Sequence, residues 1–210
     1  MPQLRRALLL GNGDNLPTDF LKKLAAQVDF ILATDGAADR ALQSGLFPDA
    51  VIGDLDSASV RAKKRLAHIP WIFVDNQNNT DLEKALDWLV AEKFTHVTLC
   101  GFTGGRLDFT LGNFLSLYPY TKKLILQVCG PGWSLYPVTK SFTRVCTPGK
   151  RISLLPYQLC RNVQTRGLKY PLRNETLSWK QPGRTISNQT TGKRLQLSLS
   201  SGFLWLYLED

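Results

Sequence analysis

Histidine is nearly missing from this chain: His68 and His96 are the two in 210 residues. His68 closes a basic stretch and His96 opens an apolar one, so both read as structural. With no G-x-S-x-G either, a Ser-His-Asp hydrolase is a poor fit. Cysteine is scarce too. Cys100, Cys129, Cys146 and Cys160 form no C-x-x-C pair and no cluster with histidine. That argues against a zinc site and for reduced thiols in a cytoplasmic protein. No run approaches the ~20 apolar residues that a membrane-spanning helix needs. Ala7–Leu10, behind Arg5-Arg6, is too short for a secretory signal core. The P-loop pattern G-x-x-x-x-G-K-[ST] is absent. Gly11-x-Gly13 lacks the third glycine of the dinucleotide fingerprint, although Asp35 stands about where a ribose-binding acid would. Acidic residues are few in the last third: residues 129–210 hold 12 basic and 3 acidic side chains, whereas residues 1–128 hold 14 of each. Such a basic third attracts polyanions. No nucleic-acid motif accompanies it, so a solubilising surface is the favoured reading, with no nucleic-acid and no membrane partner expected.

What is present is a regular alternation. Apolar runs at Leu4–Leu10, Phe30–Ala33, Ala50–Ile52, Trp71–Val74, Val97–Cys100 and Leu124–Val128 read as strands. Between them, helical spacing is clear at Phe20/Leu21/Leu24/Ala25/Val28, at Ala37–Ser44, and at Leu82/Ala85/Leu86/Leu89/Val90 behind the capping box Thr80-x-x-Glu83. A basic helix is expected from Ser57, as its cap, to about Ala67. Another should carry Leu107, Leu111, Phe114 and Leu115. Strands alternating with helices at this spacing imply βαβ units and a parallel sheet. After about Cys129 the helical stripes stop. Short β-rich runs follow at Phe142–Cys146, Arg151–Leu155, Leu195–Leu199 and Phe203–Leu208. The expectation is an α/β domain over residues 1–130 and an all-β sandwich over 131–210, with the junction between Pro131-Gly132 and Pro148-Gly149.

The chemistry-bearing residues fall in one kind of place. Asp14, Asp35, Asp54, Asp56, Asp75, Asp81, Arg106 and Asp108 all lie on or just after loops leaving the carboxyl ends of successive strands, which share one edge of a parallel sheet. Asp54 and Asp56, one residue apart after Gly53, repel each other unless a cation or a hydrogen-bond network holds them, and a hard divalent ion such as Mg2+ takes such oxygens. Read locally, the same two residues could be solvated turn aspartates. Gly104-Gly105 permits close backbone approach, and Arg106 supplies a planar fork for phosphate. An edge rich in carboxylate, glycine and helix starts suits a metal–phosphate ligand.

Four segments, in order and spacing, carry a resemblance. They are Thr34-Asp35-Gly36-Ala37-Ala38, Pro48-Asp49-x-x-Ile52-Gly53-Asp54-Leu55-Asp56-Ser57, Thr80-Asp81-x-Glu83-Lys84-Ala85-Leu86 and Gly104-Gly105-Arg106-Leu107-Asp108-x-Thr110-Leu111. With Gly167–Leu172 and Ser187-Asn188 in the tail, they resemble the thiamine pyrophosphokinase family. The resemblance implies a Rossmann-like ATP-binding catalytic domain and a β-sandwich thiamine-binding domain. It implies transfer of pyrophosphate from ATP to the hydroxyethyl group of thiamine, with Mg2+, in a homodimer whose active site lies at the subunit interface. It assigns Asp54, Asp56, Asp81, Asp108 and Arg106 to catalysis, with Asp54, Asp56 and Asp81 on the metal. Asp35, Gly36, Gln77, Thr80, Gly104 and Gly105 would meet the nucleotide, and Ser187 and Asn188 the thiamine. The chain departs from the family pattern at Ala37, Asn78 and Phe109. Other readings stay open on residues alone: a pyrophosphokinase acting on a hydroxymethylpterin-type alcohol, or a non-catalytic nucleotide- or nucleic-acid-binding protein.

Overall fold

The first strand, β1 (Arg6–Leu10), is exposed at its first residue and buried at the next four, as a strand in the middle of a sheet covered on both faces should be. In the computed structural model, which describes residues 4–210, it is followed by α1 (Thr18–Ala25), β2 (Phe30–Thr34), α2 (Ala37–Gln43), β3 (Ala50–Gly53), α3 (Val60–Arg65) and β4 (Trp71–Phe73). Then come α4 (Asp81–Ala91), β5 (His96–Cys100), α5 (Leu107–Ser116) and β6 (Ile125–Gly130). The chain divides into two compact units, the first ending at Pro131 and the second spanning Gly132–Asp210.

In the first unit the strand order is β6-β5-β1-β2-β3-β4, all pairs parallel. The chain winds outward from β1 through β4, then crosses back to lay β5 on the other side of β1. Reversal at β1/β5 makes that edge the topological switch point, where the two outgoing loops diverge and leave a crevice. One face of the sheet packs Leu8, Leu10 and Ala33 against Leu21, Ala37 and Ala41. Leu82, Ala85, Leu86 and Leu89 of α4 are buried as their spacing foretold.

Two details differ from the sequence expectation. Ser57 does not cap α3. Ser59 does, with extended backbone (φ −65°, ψ 155°) and its side chain accepting from the Ala62 N–H. Ser57 is taken by carboxylates instead: its N–H donates to Asp35 and its hydroxyl to Asp56. In α5 the helix forms, but its spacing does not mark a buried face: Leu107, Leu111 and Leu115 are exposed. Periodicity dictates that apolar groups line up, not that this chain covers them.

The second unit contains β7 (Trp133–Val138), β8 (Ser141–Val145), β9 (Arg151–Pro156), β10 (Cys160–Arg166), β11 (Glu175–Leu177), β12 (Asn188–Gln189), β13 (Arg194–Ser198) and β14 (Leu204–Glu209). They form two antiparallel layers, β12-β9-β14-β7 and β11-β10-β13-β8. Ile152, Leu154, Leu204 and Leu206 from one layer and Val163, Leu195 and Leu197 from the other close a single core. The expected sandwich is therefore present. The stretch expected to hold the junction is instead mostly strand. Pro137 sits inside β7 opposite Trp205, and a proline within an apolar run argues against a central strand.

All four cysteines are free. Burial drives the Cys100 thiol far above its usual range and that of Cys160 up to about 11, and Cys129 is buried as well. Cys146 is partly exposed. Iodoacetamide at neutral pH should therefore label one cysteine in the native protein, Cys146, and all four in guanidinium. Peptide mass mapping checks this; rapid native labelling of Cys100 would contradict the packing of β5.

Candidate active site

The crevice at the switch point is built by two loops laced together. The Gly11 N–H donates to the Cys100 carbonyl (2.9 Å), that of Gly13 to Gly101 (2.5 Å) and that of Asp14 to Thr103 (2.8 Å). Glycine is required where the strands of this lace touch. A Cβ on Gly101, whose φ is +74°, would lie 2.4 Å from the Gly11 carbonyl oxygen, and one on Gly13 2.2 Å from that of Thr103. Gly104 (φ +83°) leaves room for the Asp14 carboxylate, which also accepts from the Thr103 hydroxyl. Asp14 thus organises the glycine loop.

The crevice is a cavity of about 390 Å3, into which the loops after β1, β2 and β5 and the start of α4 all reach. Of the residues expected there, Asp35, Gly36, Thr80, Asp81, Gly104, Gly105 and Arg106 line it. Asp35 is buried (1% exposed), and its carboxylate is aimed by two backbone donors, Gly36 N–H at 2.6 Å and Ser57 N–H at 3.0 Å. Gly53 makes this possible, since a Cβ there would come 3.1 Å from the Asp35 carboxyl carbon. Beside it Asp54 and Asp56 flank Leu55, held in left-handed backbone at φ +64°. That strained turn directs both carboxylates to one side. Oxygens of Asp35, Asp54 and Asp56 lie within 4.8 Å of one another. Three convergent carboxylates suit Mg2+ and offer no soft ligand, so the donor set fits that ion.

Asp81 stands apart from this trio. Its carboxylate pairs at 3.1 Å with Lys84, whose nearly buried ammonium also lies 3.8 Å from Asp54. The Thr80–Glu83 capping box is complete on both sides and fixes the start of α4, hence where Asp81 and Lys84 point. Asp108 does not line the cavity. It holds Arg106 in a two-point ion pair (Nε–Oδ1 3.1 Å, Nη2–Oδ2 2.5 Å) while the guanidinium lies 4.4 Å over the Phe109 ring. This pairing lowers the Asp108 pKa and raises that of Arg106. Phe109, a departure from the family pattern, is thus the platform for Arg106. Gln77 is exposed on the β4–α4 loop and does not line the cavity.

Against known proteins, residues 21–128 match the family described as thiamin pyrophosphokinase, catalytic domain, and residues 138–204 match thiamin pyrophosphokinase, vitamin B1 binding domain. The chain belongs to the thiamine pyrophosphokinase family. It is 29% identical over 179 residues to the thiamine pyrophosphokinase of Bacillus subtilis (strain 168), covering 78% of this chain and 79% of that one. It is 25% identical over 174 residues to thiamine pyrophosphokinase 1 of Oryza sativa subsp. japonica, covering 75% and 65%. The fold is shared with the solved thiamin pyrophosphokinases of Geobacillus thermodenitrificans (TM-score 0.85, 24% identity, 98% and 97% covered) and yeast (0.83, 20%, 100% and 87%).

This member of the family is therefore a thiamine diphosphokinase, and ATP is the co-substrate of such an enzyme. The pterin-type and non-catalytic readings fall behind it. Ser187 and Asn188 lie in the second unit, in a cavity of about 270 Å3 with Arg151, Lys169, Tyr170 and Glu209. Asn188 clamps Tyr170 at both backbone groups: its amide nitrogen donates to the Tyr170 carbonyl and its amide oxygen accepts from the Tyr170 N–H. Ser187 is held at φ +63° with its N–H on the Ser153 hydroxyl.

Sequence reasoning missed several residues in or beside the first cavity. Lys84 was legible only as part of a motif, although its place one turn after Asp81 on α4 was a signal. Asn12 packs on Gly36, where a Cβ would come 2.4 Å from its amide nitrogen. Asn113 reaches from α5 to the Phe102 carbonyl. Arg40 lines the cavity too, and nothing in its spacing announced it.

Proposed function

We propose that the cavity of the first unit binds Mg2+–ATP and that the pyrophosphoryl transfer to thiamine takes place at its mouth. The observation that carries this reading is the convergence of Asp35, Asp54 and Asp56 beside a glycine-walled cavity lined by Arg106. The first unit is then the ATP-binding catalytic domain and the second the thiamine-binding domain. Bound to the carboxylates, Mg2+ would offset phosphate charge and favour departure of AMP. The thiamine hydroxyl oxygen bonds to the β-phosphorus as the bond from that phosphorus to the α-phosphate oxygen breaks. AMP leaves with the bond's electron pair, and the hydroxyl proton passes to a carboxylate. We assign that role to Asp81, which lines the cavity and pairs with Lys84. Asp108 serves by orienting Arg106 toward the phosphates. Thr80, Gly36, Gly104 and Gly105 bring backbone close to the nucleotide, Gln77, outside the cavity on the β4–α4 loop, would meet only a part of the nucleotide that extends beyond it, and Ser187 and Asn188 act at thiamine. Such chemistry asks mainly for positioning and charge neutralisation.

We also read the protein as a cytoplasmic homodimer with its active site at the subunit interface. The free cysteines support the compartment. The exposed Leu107, Leu111 and Leu115 of α5 support an apolar contact with a second copy. The purified protein with Mg2+ and ATP should release AMP when thiamine is added and give no such release with a hydroxymethylpterin or with EDTA present. AMP formation with the pterin alone would overturn the reading.

A further inference from the structure

Arg40 poses a problem that the fold does not solve internally. Its Nη1 is buried and has no hydrogen-bond partner, the one such side-chain atom among the described residues. The guanidinium cannot shed its charge to relieve this, because arginine stays protonated in proteins. A buried charged donor left unpaired is among the costlier features a structure can carry. The carboxylates nearest in sequence are already engaged. Asp39 accepts from both the N–H and the hydroxyl of Ser59, and Asp35 accepts from Gly36 and Ser57. No carboxylate of the described residues pairs with Arg40. Yet Arg40 lines the cavity with Arg106, and it also lines a second cavity of about 180 Å3 bounded by α1 and α2. Arg106 already spends two donors on Asp108. Arg40 is thus the cavity guanidinium with an unspent, desolvated donor.

We propose that Arg40 is a binding residue for the polyphosphate of the nucleotide, its Nη1–H donating to a phosphate oxygen that completes the missing pair. The inference rests on the reading that this cavity takes Mg2+–ATP. A phosphate oxygen is the acceptor chemistry that matches a planar, permanently charged donor in a site meant to fill and empty.

The test uses the full chain as wild type, Arg40→Met and Arg40→Lys. For Arg40→Met the KM for ATP should rise about ten- to hundredfold, the range spanned by one charge-assisted hydrogen bond, while the KM for thiamine stays unchanged. Calorimetry with α,β-methylene-ATP and with tripolyphosphate should show the same loss of affinity. The unliganded melting temperature should not fall, because the substitution removes an unpaired buried cation, but the rise conferred by α,β-methylene-ATP should shrink. Arg40→Lys keeps the charge without the fork and should fall between the two. A packing role predicts the reverse pattern: an unliganded protein that melts earlier and binds ATP normally. That result, or a wild-type KM for ATP in both variants, overturns the proposal. Should Arg40→Met fail to fold, an Arg40→Lys enzyme with unaltered ATP and tripolyphosphate binding overturns it alone. If wild type releases no AMP, the functional reading fails instead, and tripolyphosphate binding that is tighter in wild type than in the variants still upholds Arg40.

Discussion

Asp54→Asn should lower kcat by roughly 10^2- to 10^3-fold or more, the scale of removing one charge-stabilising group from an active site, and leave the fold intact. The change is nearly isosteric and removes one negative charge from the Asp35–Asp54–Asp56 cluster. In the unliganded protein it also relieves repulsion among the three carboxylates. The Asp54 side chain is 37% exposed and its link to Lys84 is long, at 3.8 Å, so little packing depends on it. Lys84 keeps its shorter pair with Asp81. Thermal unfolding should shift by a few degrees at most, and Mg2+ should no longer raise the melting temperature in the presence of ATP. Steady-state AMP release with parallel circular-dichroism melts checks both parts. Turnover within tenfold of wild type would detach the acidic cluster from catalysis.

Gly101→Ala should be among the most damaging single methyl groups in the first unit. The added Cβ must sit 2.4 Å from the Gly11 carbonyl oxygen, on a residue whose φ of +74° already disfavours any side chain. Left-handed strain and overpacking together amount to about 2–4 kcal/mol, or roughly 5–15 °C in melting temperature for a chain of this size. Neither loop can yield without breaking the lace of Gly11, Gly13 and Asp14 onto Cys100, Gly101 and Thr103. Since those loops wall the nucleotide cavity, kcat/KM should also fall, by about tenfold or more. Gly45→Ala is the internal control. Gly45 is left-handed at φ +65° and has nothing within 4 Å of its would-be Cβ. It should cost only about 1 kcal/mol and leave kcat/KM alone. Equal effects from the two variants would show that strain, not the loop contact, governs both.

The alternation of strand and helix through residue 128 was legible because most elements there bury one periodic face, α5 being the exception: Leu82, Ala85, Leu86 and Leu89 mark a helix, and Ala50–Ile52 a short covered strand. The capping box at Thr80 was legible for the same reason, being a contact between residues three apart. The second unit was harder to read. In β10 the buried Cys160, Val163 and Thr165 alternate with arginine and amide groups, and in β7 a proline interrupts the run. Each strand there is recognisable mainly by its distant partner, which no window of sequence contains.

Local sequence dictated which residues would stand at the carboxyl edge, since Asp35, Asp54, Asp56, Asp81 and Arg106 follow directly on strand ends or helix starts. Only the tertiary structure sorted them. It joined Asp35 to Asp54 and Asp56 and tied Asp81 to Lys84. It spent Asp108 on Arg106, and it left the Arg40 donor buried without a partner. Chain order sets the edge because a parallel sheet sends every strand end the same way. Which charges meet across that edge depends on loop closure and on what each group finds to bond with, and both are settled by residues tens of positions away.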